Sequence, residues 1–103
     1  MSLKNKKLKL GYKTFNIIKE KEIIRLPNEL LGEISYMEEV IRISSKISQN
    51  EQNQTFMHEM IHGLLDKIGY NEMAVDEKFV DRLATGLYEV IKDNPQIFTM
   101  KDI

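Results

Sequence analysis

The chain contains two histidines, and both fall within the stretch TFMHEMIHGLL at residues 55–65. His58 and His62 are four positions apart, with Glu59 directly after the first. On a helix this spacing stacks two side chains one turn apart on a single face. Two imidazoles then point at one spot, and Glu59, one residue further round, can reach past it. The pattern is H-E-x-x-H, in which the histidines bind zinc and the glutamate acts as general base on the water the metal holds. A zinc that does chemistry takes three protein ligands and keeps a fourth position open. The sequence has no cysteine and no third histidine, so the remaining ligand must be a carboxylate.

Four acids follow at a suitable distance: Glu72, Asp76, Glu77 and Asp81. Glu77 and Asp81 are one helical turn apart, and a ligating histidine usually donates its other ring N–H to a carboxylate. The pair divides naturally into Glu77 as third ligand and Asp81 as the group that orients a histidine, foremost His58. Asp76 and Glu72 stay open as alternatives to Glu77. A hydroxyl donor for a developing oxyanion would have to come from Tyr12, Tyr36 or Tyr70, since no spare histidine exists.

These side chains need two helices to hold them. Ser48 followed three residues later by Glu51 is a capping box. The apolar series Phe56, Met57, Met60, Ile61, Leu64, Leu65 and Ile68 has the 3–4 spacing of a buried stripe, and Gly69 is a natural stop. The histidines therefore sit near the middle of the first helix. A second helix is expected from Ala74 to Lys92, buried through Phe79, Leu83, Leu87, Val90 and Ile91 and ended by Asn94-Pro95. Gly63 and Gly86 are either packing detail or positions where the two helices approach closely.

The first half reads as strands. Residues 8–18, LKLGYKTFNII, suggest one strand bent or bulged at Gly11, and Leu26-Pro27-Asn28 breaks the pattern. Ile34 and Tyr36, then Ile41 and Ile43, flank Met37-Glu38-Glu39 as a hairpin. The strand around Val40–Ser44 is expected to hold an extended peptide along its edge. The fold class is α+β: a small antiparallel sheet packed on two helices that share a metal site. Residues 1–7 and 96–103 are read as loosely held ends, although Ile97, Phe98 and Ile103 have apolar character to dock.

His58-Glu59-x-x-His62 followed by Glu77-x-x-x-Asp81 resembles the gluzincin branch of zinc peptidases. More narrowly, residues 30–92 resemble the small ImmA/IrrE-type metallopeptidases of phages and other mobile elements. In those, the second helix carries a glutamate followed by an A-N-x-F-A-like run; here the stretch is Glu77-Lys-Phe-Val80-Asp81-Arg-Leu83-Ala84. Asp81 stands where that family often has asparagine, in better agreement with the wider gluzincin pattern. The resemblance implies a zincin-like fold and a cytoplasmic zinc-dependent endopeptidase whose targets are phage or mobile-element regulators.

Composition sets the outer limits. At 103 residues, with 42% hydrophobic and 30% charged, the chain is one globular domain with a modest core. Fifteen Lys and Arg against sixteen Asp and Glu leave a net charge of −1, which gives no general attraction to nucleic acid or anionic membrane. The lysines at 4, 6, 7, 9 and 13 read as a solvated approach to the first strand. No segment has the apolar run of a signal peptide or a membrane span, so the cytoplasm is the simplest location and a protein or peptide the expected partner. The rival class is a metal-stabilised interaction module that binds a regulator without cutting it.

Overall fold

The computed structural model describes residues 2–98. Residues 8–18 form two strands rather than a single bent one. β1 (Lys7–Leu10) and β2 (Lys13–Glu20) pair antiparallel, with Leu10 opposite Lys13. Gly11 lies between them at φ +65°, a conformation that glycine adopts without steric cost and that places it first in a two-residue hairpin turn. The break at Leu26-Pro27-Asn28 is likewise a turn. It joins β3 (Ile23–Arg25) to β4 (Asn28–Leu30) in a separate two-stranded ribbon.

β5 (Gly32–Ser35) and β6 (Val40–Ser44) form the hairpin read from the sequence, with Ile34 opposite Ile41. Glu39 closes its turn at φ +57°. The main sheet runs β1-β2-β6-β5, and it is mixed where an antiparallel one was expected. β2 and β6 lie parallel, Asn16 opposite Val40 through Glu20 opposite Ser44. Parallel neighbours need a long crossover, and residues 21–39, carrying the ribbon and β5, provide it. β6 is thus an inner strand, buried along nearly its whole length, and the free edge near the helices belongs to β5.

α1 (Gln49–Lys67) begins and ends as its sequence dictates. The Ser48 hydroxyl oxygen accepts from the Glu51 backbone N–H at 3.1 Å and its O–H donates to the Glu51 carboxylate at 2.9 Å. At the other end Gly69 N–H donates to Asp66 O and Tyr70 N–H to Leu65 O. These two bonds make a Schellman ending, with Gly69 at φ +91°.

The helix expected over 74–92 is divided. A single turn, α2 (Asn71–Ala74), precedes α3 (Glu77–Asp93), whose N-cap is Asp76, accepting from the Phe79 backbone N–H at 3.1 Å. The buried face of α3 is Val80, Ala84 and Tyr88, flanked by Leu87 and Ile91. Phe79, Leu83 and Val90 are instead 39–49% exposed. The buried row joins two small side chains, Val80 and Ala84, to Tyr88, while Phe79, Leu83 and Val90 lie outside it.

α1 lies between the sheet and α3. Phe56, Met57, Ile61 and Leu65 join Phe15, Ile17, Ile41 and Ile43 on one side and Val80, Ala84 and Tyr88 on the other. Tyr88 also fastens the helix pair, donating to Asn50 Oδ1 at 2.9 Å and accepting from Asn53 Nδ2 at 3.3 Å. Leu3 is buried in the same core, while residues 4–6 are exposed. Ile97 and Phe98 are exposed; Ile103 lies outside the described residues.

Neither glycine mediates the contact between α1 and α3. A Cβ at Gly63 would come within 2.9 Å of Ile34 Cδ1 and Leu10 Cδ1, both on the sheet, and one at Gly86 would meet nothing within 4 Å. Gly32 is the critical one. A Cβ there would lie 2.4 Å from Thr55 Cγ2 and 3.1 Å from the Arg42 carbonyl oxygen. Threonine in a helix is stiff at χ1, so neither neighbour yields easily. Gly32→Ala is expected to cost about 1–3 kcal/mol, read as a lower urea midpoint; an unchanged midpoint would show that β5 and α1 separate freely.

Candidate metal centre

α1 presents His58 and His62 on one face, their ring centroids 4.8 Å apart. The two Nε2 atoms are 3.1 Å from each other. Glu77, in the first turn of α3, completes a triangle. Its Oε2 is 3.1 Å from His58 Nε2 and its Oε1 3.0 Å from His62 Nε2. Zinc bonds of about 2.0–2.1 Å at a tetrahedral angle put neighbouring ligand atoms about 3.3 Å apart. The Nε2–Nε2 separation is close to that edge length, Glu77 meets each ring through a different carboxylate oxygen, and with one atom taken from each residue the three lie within 4.8 Å of one another, so this group could hold a metal.

The proton inventory agrees with that fit. His62 Nδ1 is 2.5 Å from the Ala74 carbonyl oxygen. A carbonyl only accepts, so Nδ1 carries the hydrogen and the neutral ring offers a lone pair at Nε2. Two ring nitrogens and a carboxylate thus converge, an arrangement that a cation satisfies. Ala74 belongs to α2, so the break that separates α2 from α3 supplies the support for His62. Sequence reasoning missed it, because a backbone carbonyl carries no residue-type signal.

The other candidates separate cleanly. Asp81 Oδ1 is 3.5 Å from His58 Nδ1, beside the expected ring yet longer than an ordinary hydrogen bond. Asp76 is engaged as the α3 cap, and Glu72 is exposed and outside the group. At the long end of second-sphere contacts, Asp81→Ala is expected to weaken zinc binding about tenfold. Competition with a chromogenic chelator measures it; unchanged affinity would remove Asp81 from the site.

Glu59 is only 9% exposed. Burial pushes its carboxyl above the ordinary range; the two imidazoles oppose that shift, and Glu77 and Glu33 reinforce it. The influences on it are burial and nearby charges, with no hydrogen bond from the described residues among them. It lines a cleft of about 860 Å³ between β5 and the helices, together with His58, His62, Glu77 and Asp81. Tyr36 lines this cleft too, whereas Tyr12 and Tyr70 do not. Its hydroxyl is pushed up to about 12 by burial and by Asp66 and Glu59, so near neutrality it is a proton donor.

The free edge facing the cleft is β5, through Gly32, Glu33 and Ile34. This corrects the expectation that Val40–Ser44 would hold a peptide: both edges of β6 are already paired, to β2 and β5. Among the described residues, no helix is long and apolar enough to cross a membrane. No family model, curated protein or solved structure matches the chain.

Proposed function

We propose that the protein is a zinc-dependent endopeptidase of zincin-like type, resembling the gluzincins and the small ImmA/IrrE-type enzymes, and that it works in the cytoplasm on a phage or mobile-element regulator. The observation that carries this reading is the grouping of His58, His62 and Glu77 with Glu59, buried and without a hydrogen bond from the described residues, beside it. Zinc, when bound, supplies a Lewis acid that brings a coordinated water towards a pKa of about 7 and polarises a carbonyl.

The chain's own residues do the rest. His58 and His62 would hold the ion through Nε2, and Glu77 through its carboxylate. The Ala74 carbonyl fixes the His62 tautomer, and Asp81 steadies the His58 ring. Glu59 accepts a proton from the attacking water and delivers it to the leaving amine. Tyr36, protonated at working pH, can donate to the carbonyl oxygen as it gains charge. β5 offers its unpaired backbone groups to an extended substrate.

One observation favours the alternative of a non-catalytic interaction module. Phe79, Leu83 and Val90 leave apolar surface exposed on α3, and under that reading the metal merely braces α1 against α3. Hydrolysis of a mixed peptide pool, followed by mass spectrometry in wild type and Glu59→Gln, decides between them. Zinc-dependent cleavage by wild type alone supports the endopeptidase. Absence of cleavage by zinc-loaded wild type supports the module.

A further inference from the structure

The cleft is far more acidic than the chain. Six carboxylates line it, from Glu33, Glu51, Glu59, Asp66, Glu77 and Asp81, and no lysine or arginine does, although the whole protein is nearly neutral at −1. Glu33 is compensated by Arg42 at 3.0 Å and by Arg25 at 2.5 Å. A divalent ion would offset Glu59 and Glu77. That leaves Glu51, Asp66 and Asp81 without a lysine or arginine ion pair among the described residues; Asp81 stands 3.5 Å from His58 Nδ1, Asp66 also lines a smaller pocket with Lys13 and Lys67, and Glu51 accepts from the Ser48 hydroxyl.

The placement of these charges is ordered. Glu51 and Asp66 lie on α1 on either side of the histidine pair and line the same cleft. At 1.5 Å per residue they are about 13 Å and about 9 Å along the axis from the midpoint of the pair, which is about three to four residues of extended peptide in each direction. Between them Glu59, nine-tenths buried and without a hydrogen-bond partner among the described residues, faces into the cleft. Leu31, next to β5, and Val75, between α2 and α3, add exposed apolar surface to the same lining.

We infer that the cleft selects cationic peptide: an extended segment carrying lysine or arginine within three to four residues of the bond over the metal pair, on one or both sides. The inference rests on the endopeptidase reading and names its substrate class. Carboxylates that face open solvent would be weakly selective, because exposed ion pairs contribute little. Glu51, Asp66 and Asp81 are themselves exposed, but they line one cleft, and carboxylates gathered along a cleft sum to a field of one sign that attracts the opposite charge.

The test uses two short dye-labelled peptides with the same Gly, Ala and Leu frame, one bearing lysines and the other glutamates at the flanking positions. Zinc-loaded wild type is expected to cleave the lysine peptide at least about tenfold faster at low salt. The preference should shrink in about 1 M salt, where screening acts within about 3 Å, and in the Glu51→Gln/Asp66→Asn double variant, in which Gln preserves the capping box. Equal rates for the two peptides overturn the inference and leave hydrolysis standing. If neither is cleaved, binding read by fluorescence anisotropy separates the two ideas. The same tenfold preference then supports the cationic cleft and removes the endopeptidase, while equal or absent binding overturns the cationic cleft as well.

Discussion

Glu59→Gln is expected to lower peptide hydrolysis by about 10²–10⁴-fold, the range that a positioned general base contributes. The substitution keeps the size and the polar carbonyl of the side chain but removes its ability to take a proton. Glu59 belongs to no metal-holding triangle, so zinc stoichiometry should stay at that of wild type. This split, activity lost and metal retained, separates a base from a ligand. Equal loss of both would make Glu59 a ligand. Unchanged activity would take it out of the reaction.

The same variant carries a stability signature. Burial raises the Glu59 carboxyl above its ordinary range, so the folded state of the metal-free protein holds this proton more tightly than the unfolded chain does. A raised carboxyl favours folding below the unfolded pKa, and that contribution is lost as pH rises through the folded value. At neutral pH the buried charge is therefore a cost to the metal-free fold, and Glu59→Gln removes it. Metal-free Glu59→Gln should melt above metal-free wild type at pH 7, and the gap should close as pH is lowered towards the ordinary glutamate range. A residue that burdens the fold, and whose substitution lowers activity, is placed there for function.

Local signals account for what was legible. The positions of His58, Glu59 and His62 follow from helical periodicity alone, since i and i+4 meet on any helix. The two ends of α1 were readable because Ser48, Glu51 and Gly69 act within a few residues of themselves. Glu77 was reachable by elimination in a chain without cysteine or a third histidine. The β5–β6 hairpin was visible because alternation resumes at once after a short turn.

What escaped was non-local. Alternation marks a strand without naming its neighbour, so the parallel pairing of β2 with β6 had no signature, and neither did the inner position of β6. The face of α3 was misread in part, because Phe79, Leu83 and Val90 also repeat at helical spacing, whereas Leu87 and Ile91 do pack against the core. The competing row of Val80, Ala84 and Tyr88 is the one buried against α1, where Tyr88 also bonds to Asn50 and Asn53. Asp76 was weighed as a ligand when its side chain caps a helix, a use that depends on where that helix begins. The charge of the cleft is gathered from β5, α1 and α3, and no single window of the sequence contains it.

The largest effect on stability should come from the metal itself. Zinc at about a hundred times its dissociation constant stabilises the fold by about 2.7 kcal/mol, which in a domain of this size raises the melting temperature by about 10–20 °C. Structural zinc sites with four ligands bind with about 10–16 kcal/mol, or about 2.5–4 kcal/mol per ligand, so loss of one histidine should weaken affinity by about 10²–10³-fold. At the same zinc concentration the melting shift of His62→Ala then falls below about 3 °C.

His62→Ala has a second consequence, because it deprives the Ala74 carbonyl of its N–H donor, and an unpaired buried carbonyl costs about 1–3 kcal/mol without any metal. Each variant must therefore be compared with its own metal-free form. His58→Ala is the cleaner control: it removes a ligand whose other ring nitrogen faces only Asp81 at 3.5 Å. Both variants should lose the zinc-induced shift, while only His62→Ala should also melt early when metal-free. A zinc-induced shift retained in both would mean that the ion binds elsewhere, and the helix pair would then have no claim on it.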